Sequence, residues 1–454
     1  MKVIQEGKER IVKTWGEQKL TDADYRLLKY LFRVNVKDGE QCDTDDYDTV
    51  LLHNVVTGEL IALDRTEAGV LDSLPCKASD ATEELIKKRF LVPVGYDEKK
   101  AVYQLRKVLN VFQRPKYITG YTILPTTNCN ARCFYCYEAN YKHINMTPEV
   151  ADKTVEFIAD HHGDRDVHIG WFGGEPLLGW QRIDQICQGL QDREIRYSSS
   201  MTTNGYLFDE EMVKKAKDFW KLKSLQITLD GTEQVYNEVK AYVNNDLSPY
   251  QRVISNIGLL ADNEIRVSIR MNLDRHNADN LKELISELAE RFGGNKYVSG
   301  YVDVIFDDCG FAPVTHSDDD HHFLLSKANS LNDLLVNNGL YSINKQNLPC
   351  LKLHYCMADS DSSIVITPNG DLVKCEHIEN IGAIGNIYCD IVDYKKLNAW
   401  KNIVDHSECF DCPLLPNCFV LSSCIAAPKC HIEERQWQIK AAKKLMINIH
   451  NNQI

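Results

Sequence analysis

No stretch of the chain holds the eighteen or so consecutive apolar residues that a membrane-spanning helix needs. The opening MKVIQEGKER has no apolar core of the kind that makes a secretory signal. Neither a membrane partner nor export is expected, and the chain reads as cytoplasmic. Basic residues are in the minority: 52 Lys and Arg against 65 Asp and Glu leave a formal charge of -13. That is the wrong sign for a surface that tracks phosphates, so no nucleic-acid partner is expected. Internal repeats and low-complexity segments are also missing, which excludes collagen-like and disordered architectures. What is left, 454 residues with 44% hydrophobic and 26% charged, is globular material for two or three domains, each with its own core.

Cysteine, by contrast, is abundant. Sixteen cysteines in a reducing compartment point to metal binding before disulfides. Three stand together at Cys129, Cys133 and Cys136, nine fall between Cys350 and Cys430, and four are scattered, Cys42, Cys76, Cys187 and Cys309. For the scattered four, a buried small apolar side chain is the expected role.

Along the chain, residues 1–112 read as a separate winged-helix-like module. The stretch VLLHNVVTGELIAL is a hairpin turning at Thr57-Gly58, Asp64 opens a helix, and ATEELIKKR is a second helix leading into the strand FLVPV. The charged stretch from Tyr96 to Lys116 reads as a linker. Over 113–316 strands and helices alternate, with strands expected at Tyr121–Leu124, Val167–Phe172, Ile195–Met201, Ser224–Leu229, Ile265–Leu273 and Tyr301–Phe306. Six such units make an α/β fold, a partial (β/α)6 TIM-like barrel. In SLQITLDG one face carries Leu225, Ile227 and Leu229, the other Gln226, Thr228 and Asp230; RVSIRMNL likewise sets Arg266, Ser268, Arg270 and Asn272 on one face. A filled barrel would carry branched apolar residues inside, so polar inner faces predict a hollow that holds a polar ligand; the alternative is that they cover an open sheet edge. A helical bridge over 317–349 leads to a cysteine-rich domain, 350–454, with one hairpin, SSIVITPNGDLVKC, and a closing helix.

Three thiolates on one loop, as in TTNCNARCFYCYE, can hold three irons of a four-iron cluster and leave the fourth open to an outside ligand. As bare spacing, the triplet also fits part of a zinc site. With Tyr135 before the third cysteine it resembles the CxxxCxΦC signature of the radical S-adenosylmethionine (SAM) superfamily. The resemblance extends to Gly173, Gly174, Glu175 and Pro176 after the second strand, to Thr203-Asn204-Gly205 after the third, and to Thr228-Leu229-Asp230-Gly231 at the end of the fourth. It implies that Tyr135, Gly173, Gly174, Glu175, Pro176, Asn204, Thr228 and Asp230 bind SAM, with Glu175 at its ammonium. The two glycines are expected to let the backbone approach that ligand. Phe172 departs from relatives that carry a polar residue there. The chemistry implied is reductive cleavage of SAM to a 5'-deoxyadenosyl radical that abstracts hydrogen from carbon.

The later cysteines resemble the SPASM domain of peptide-modifying radical SAM enzymes. That resemblance implies two auxiliary clusters, one on Cys350, Cys356, Cys375 and Cys424 and one on Cys409, Cys412, Cys418 and Cys430, so three [4Fe-4S] clusters in all. The five residues between Cys418 and Cys424, where the family has three, and the short gap to Cys430 put the last ligand of each cluster in doubt. A zinc ribbon is the alternative reading. The family further implies a ribosomally made precursor peptide with a leader recognised by the N-terminal module, and an external donor of flavodoxin or ferredoxin type. The expected product is a thioether between a cysteine sulfur and carbon, then a carbon–carbon cross-link, then formylglycine in a sulfatase. A non-enzymatic iron–sulfur carrier would consume no SAM. Glu376, after Cys375 where sulfatase-maturing relatives carry an acidic base, is expected to accept a proton or position the substrate.

Overall fold

The computed structural model describes residues 1–112, 115–243, 248–305, 318–340, 347–377, 382–400, 409, 412–418 and 432–452. Seven strands lie in the first third: β1 (Lys2–Gln5), β2 (Tyr25–Leu27), β3 (Leu31–Lys37), β4 (Glu40–Gln41), β5 (Thr49–Asn54), β6 (Leu60–Asp64) and β7 (Leu91–Pro93). Five form one antiparallel sheet in the order β1-β6-β5-β3-β4, and β2 pairs with β7. The expected hairpin is β5–β6, with Leu51 opposite Ala62. Asp64 caps the following helix in a reciprocal capping box with Glu67.

The expected linker is instead a helix, Glu98–Phe112. Its Val102, Leu105 and Leu109 are buried at helical spacing, an apolar stripe that the surrounding lysines obscure in the sequence. Arg106, on the same side, is 1% exposed and donates to the Pro416 carbonyl at 3.1 Å. The helix thus ties the N-terminal sheet to the cysteine-rich region. One core holds Phe32, Val34 and Val36 of β3 together with Leu348, Leu351, Leu414 and Leu415. The same core holds Ala442, Leu445, Met446 and Ile447 of the helix Ile432–Asn451.

The barrel strands are β8 (Gly120–Thr126), β9 (Val167–Gly173), β10 (Tyr197–Thr203), β11 (Leu222–Thr228), β12 (Arg266–Leu273) and β13 (Val298–Val304). They lie side by side in sequence order, and each neighbouring pair is parallel. Outward-facing residues such as Val167, Ile169 and Trp171 on β9 are buried under the helices, each worth roughly 1.5–3 kcal/mol. Thr147 starts the first of those helices by accepting from the Val150 amide, with Pro148 in its first turn. The sixth strand begins three residues earlier than expected and stops before Phe306, which lies outside the described residues. Gly300 hides the alternation of Val298, Val302 and Val304: a side chain there would meet Leu335 and Met271 at 3.3 and 3.4 Å.

The C-terminal hairpin, β14 (Ser363–Ile366) and β15 (Asp371–Val373), does not stand apart. β14 pairs in parallel with β8, and β15 continues the sheet to β16 (Gly385–Asn386) and β17 (Asp390–Ile391). Of the scattered cysteines, Cys187 is buried as expected, Cys42 and Cys76 are only partly covered, and Cys309 lies outside the described residues. Among the described residues no helix is long and apolar enough to cross a membrane.

Candidate active site at the carboxyl ends of the barrel strands

The cysteine loop leaves β8 and is clamped by the end of β9. The Gly174 amide donates to the Thr126 carbonyl (3.3 Å) and the Glu175 amide to that of Asn128 (2.7 Å). Gly173 has φ +109°, and a Cβ on it would lie 2.2 Å from the Thr126 oxygen; one on Gly174 would lie 2.3 Å from that of Asn128. The glycines are therefore needed for contact between two backbone segments.

The Glu175 carboxylate is wholly buried. It accepts from the Leu177 amide (3.1 Å), the Thr203 hydroxyl (2.9 and 3.0 Å) and the Asn204 amide (2.8 Å). Burial pushes its pKa up to about 7 against the pull of those donors. Three donors, one of them shared between the two oxygens, occupy the carboxylate, which leaves room for one further donor such as an ammonium. The Asn204 amide group reaches back to the Asn130 side chain at 2.7 Å, so loop, β9 end and β10 end are one hydrogen-bonded unit. Pro176 begins the turn Pro176–Gly179.

A second unit is buried beneath the loop. The Tyr135 hydroxyl donates to Asp230 Oδ2 (2.7 Å), and Lys240 Nζ lies 2.9 Å from both Asp230 Oδ2 and the Tyr135 oxygen. The side chains of Lys240 and Asp230 are 4% and 2% exposed. Asn272 donates to Asp230 Oδ1 at 3.0 Å, and Asn277 to the Asp230 carbonyl at 3.0 Å. Burial opposes the Lys240 charge, yet Asp230 and then Cys133 raise its pKa, so the ammonium stays protonated. Thr228, at the end of β11, is half-buried on the inner face. Lys240, Asn277 and Asn130 were not expected from the sequence.

The thiols are held short of solvent: burial, then the Glu175 charge, pushes Cys129 up to about 12, and burial pushes Cys136 up to about 11. Such thiols ionise only with a cationic partner, which iron would supply and to which Lys240 adds. Among the described residues no three His, Cys, Asp or Glu side chains converge as a single ion requires. A cuboidal cluster makes a different demand, one thiolate per iron, which three cysteines on a single eight-residue loop could meet.

Directly below the ends of β9 and β10 is a cavity of about 350 Å³. Its wall includes Thr122, Phe172, Ser200, Thr202, Gln226 and Ser268 from five strands, and Glu376 from the stretch after β15. The polar inner faces do enclose a hollow. Glu376 faces Glu138, whose carboxyl is pushed up to about 7 by burial and then by that charge. Tyr137 and His377 stack beside them with centroids 4.1 Å apart, and burial lowers the His377 pKa.

The remaining cysteines lie in two places. Asn417 donates to the Cys350 carbonyl (2.7 Å) and the Lys352 amide to that of Pro416 (3.0 Å), which sets Cys350 against the segment carrying Cys412 and Cys418; the Cys412 amide in turn donates to the Cys409 carbonyl. Cys356 opens the turn Met357–Asp359, and the Thr122 hydroxyl of β8 donates to Met357 Sδ at 3.4 Å. Cys375 follows β15. Cys424 and Cys430 lie outside the described residues, and Cys389 is exposed.

Residues 123–288 match the Radical SAM superfamily. The chain is 20% identical over 413 residues to the radical SAM cyclopropyl synthase TigE of Paramaledivibacter caminithermalis, spanning 84% of this chain and 83% of that one. It is 26% identical over 278 residues to an uncharacterized protein of Methanocaldococcus jannaschii, spanning 58% and 87%. Two solved structures share the fold. Native anSMEcpe with bound AdoMet is 17% identical with a TM-score of 0.56, over 73% of this chain and 99% of that one. Streptococcus suis SuiB is 16% identical with a TM-score of 0.51, over 88% and 94%.

Proposed function

We propose that this chain, which carries a radical SAM domain over residues 123–288, modifies a ribosomally made precursor peptide by joining a cysteine sulfur to carbon. The observation that carries the reading is the cavity of mixed polar and apolar lining directly below the strand ends that bear the SAM-type motifs, with an acidic side chain in its wall. SuiB has been solved bound to the precursor peptide SuiA, and a likeness in fold to it supports a peptide substrate. In this reading Cys129, Cys133 and Cys136 hold the four-iron cluster that binds SAM. Cys350, Cys356, Cys375 and Cys424 hold a second cluster, and Cys409, Cys412, Cys418 and Cys430 a third.

The bound SAM and cluster supply a 5'-deoxyadenosyl radical that takes a hydrogen atom from carbon. The rest falls to the chain. The Glu175 unit orients the SAM ammonium, the Tyr135–Asp230–Lys240 unit keeps the loop rigid, and the barrel wall excludes water. Thioether formation also releases the thiol proton, for which Glu376 is the carboxylate in the wall, and one electron, which a cluster held by Cys375 would take up and pass to an external flavodoxin or ferredoxin. Similarity to a cyclopropyl synthase favours a carbon–carbon bond as the second reading.

The test is conversion of the short peptide encoded beside this chain's own reading frame. A thioether product loses two hydrogens and its cysteine resists alkylation after reduction; a product whose cysteine still alkylates moves the reading to carbon–carbon chemistry. Glu376→Gln, which keeps shape and removes basicity, is expected to slow product formation roughly a hundredfold, with His377→Ala as the control. Conversion at the wild-type rate would remove Glu376 from the reaction.

Leader recognition we assign to the outer edge of β3. The Asn35 carbonyl accepts from the Cys42 amide on that side, so by the two-residue alternation Arg33 and Leu31 also point outward, and β4 pairs only with Val36 and Lys37. A leader added there would form a further strand. Arg33→Pro, which deletes one outward N–H, should weaken leader binding about tenfold in fluorescence anisotropy; unchanged affinity would move the leader elsewhere.

A further inference from the structure

We propose that the cavity inside the barrel takes a lysine or arginine side chain of the substrate peptide, anchored by Glu376 with Glu138 behind it. The inference rests on the peptide-modifying reading and names the residue class it acts on.

Size comes first. At about 350 Å³ the hollow lies at the small end of ligand pockets, roughly 300–1,000 Å³, which suits one long side chain rather than a peptide segment. Thr122, Gly170, Ser200 and Ser224 stand in register across β8 to β11 as a layer of small residues, one step down the strands from Phe172, Thr202, Gln226 and Ser268, so depth is available below that upper layer. A side chain extended along that depth would bring its inner carbons close beneath Gly173 and Thr203, where β9 and β10 end.

Charge decides the class. Among the described residues that line the cavity, Glu376 is the one ionisable group. Glu138, which faces it, is 8% exposed, and its Oε1 has no hydrogen-bond partner. Among the described residues neither carboxylate is paired with a lysine or arginine of this chain. The cation of the lumen, Arg270, is already held by Asp303 at 3.0 Å and Asn272 at 2.8 Å. Two carboxylates facing one another in a partly dry site repel unless a cation joins them. The hydroxyl oxygens of Thr122, Ser200 and Ser268 keep lone pairs that can accept from an ammonium or guanidinium, the first two beside their existing contacts to Met357 Sδ and His168 Nε2. Glu376 then acts first as an anchor, and its effect on product formation follows from placing the reacting carbon.

The test uses small probes on the full chain, read by saturation-transfer NMR: n-butylammonium and n-butylguanidinium, with n-pentanol and pentanoate as neutral and anionic controls. The cations should bind at least tenfold more tightly than either control. Glu376→Gln should remove that preference, Glu376→Lys should transfer it to pentanoate, and Ser268→Leu, which fills the hollow, should abolish binding of all four. Pentanol binding as tightly as the cations, or a Glu376→Gln protein with unchanged cation affinity, would overturn the proposal. Failure here with intact precursor conversion would leave the peptide-modifying reading standing. Cation preference in a chain that never consumes SAM would do the reverse.

Discussion

With Cys129, Cys133 and Cys136 all replaced by alanine, the anaerobically reconstituted protein is expected to form no 5'-deoxyadenosine. It should still carry about eight of about twelve irons, the content of two four-iron clusters out of three. The loop lacks any other soft ligand: its remaining polar groups are tied up, Asn130 with Asn204 and Arg132 with the carbonyls of Cys129 and Ala131. No other cysteine, histidine or methionine in the loop can substitute for a lost thiolate, so the effect is all or none rather than a graded loss. The loop itself should stay folded, because its clamps to Gly174 and Glu175 are made by backbone. Iron and 5'-deoxyadenosine are assayed on the same sample, and a triple variant that still cleaves SAM would refute the assignment of the loop. A loss of all iron would instead mean that the other clusters depend on this one.

The largest effect on stability is expected from Lys240→Met. It leaves the buried Asp230 carboxylate without its cation, which costs about 3–5 kcal/mol when a buried pair is broken from one side. For a chain of this size that is a melting temperature lower by roughly 3–5 °C. Asp230→Asn in the same background removes the stranded charge while keeping an acceptor for Asn272, so the double variant should be more stable than the single one. A double variant no better than Lys240→Met would mean that the lysine acts by packing on Tyr135 and Tyr236. Urea unfolding of the metal-free proteins separates this effect from cluster loss.

Five of the six barrel strands could be read within a few residues from alternation alone, because a sheet roofed by helices writes its buried face as every second residue. Gly300 broke that code for the sixth. The polar inner faces were legible for the same reason, and so was the hollow they enclose. Lys240 was not. A lysine in the last turn of a helix reads as a solvated, dipole-favoured residue, and only the crossing of that helix over Asp230 turns it inward. Glu138, too, becomes unusual only once the hairpin bearing Glu376 is docked against β8, a pairing across about 240 residues. The two glycines mark a close approach, here of one backbone segment to another, and sequence does not say to what.

The core shared between the N-terminal sheet and the helix Ile432–Asn451 sets an order of events during synthesis. Asn451 donates to the Gly39 carbonyl at 2.8 Å across 412 positions, and Met446 is fully covered beside Val34 and Val36. β3 therefore carries an uncovered apolar face until the helix Ile432–Asn451 has been made, while the barrel between them can close on its own local contacts. The N-terminal sheet is thus completed after the barrel that follows it, and in that interval the apolar face of β3 is open to a chaperone or a protease.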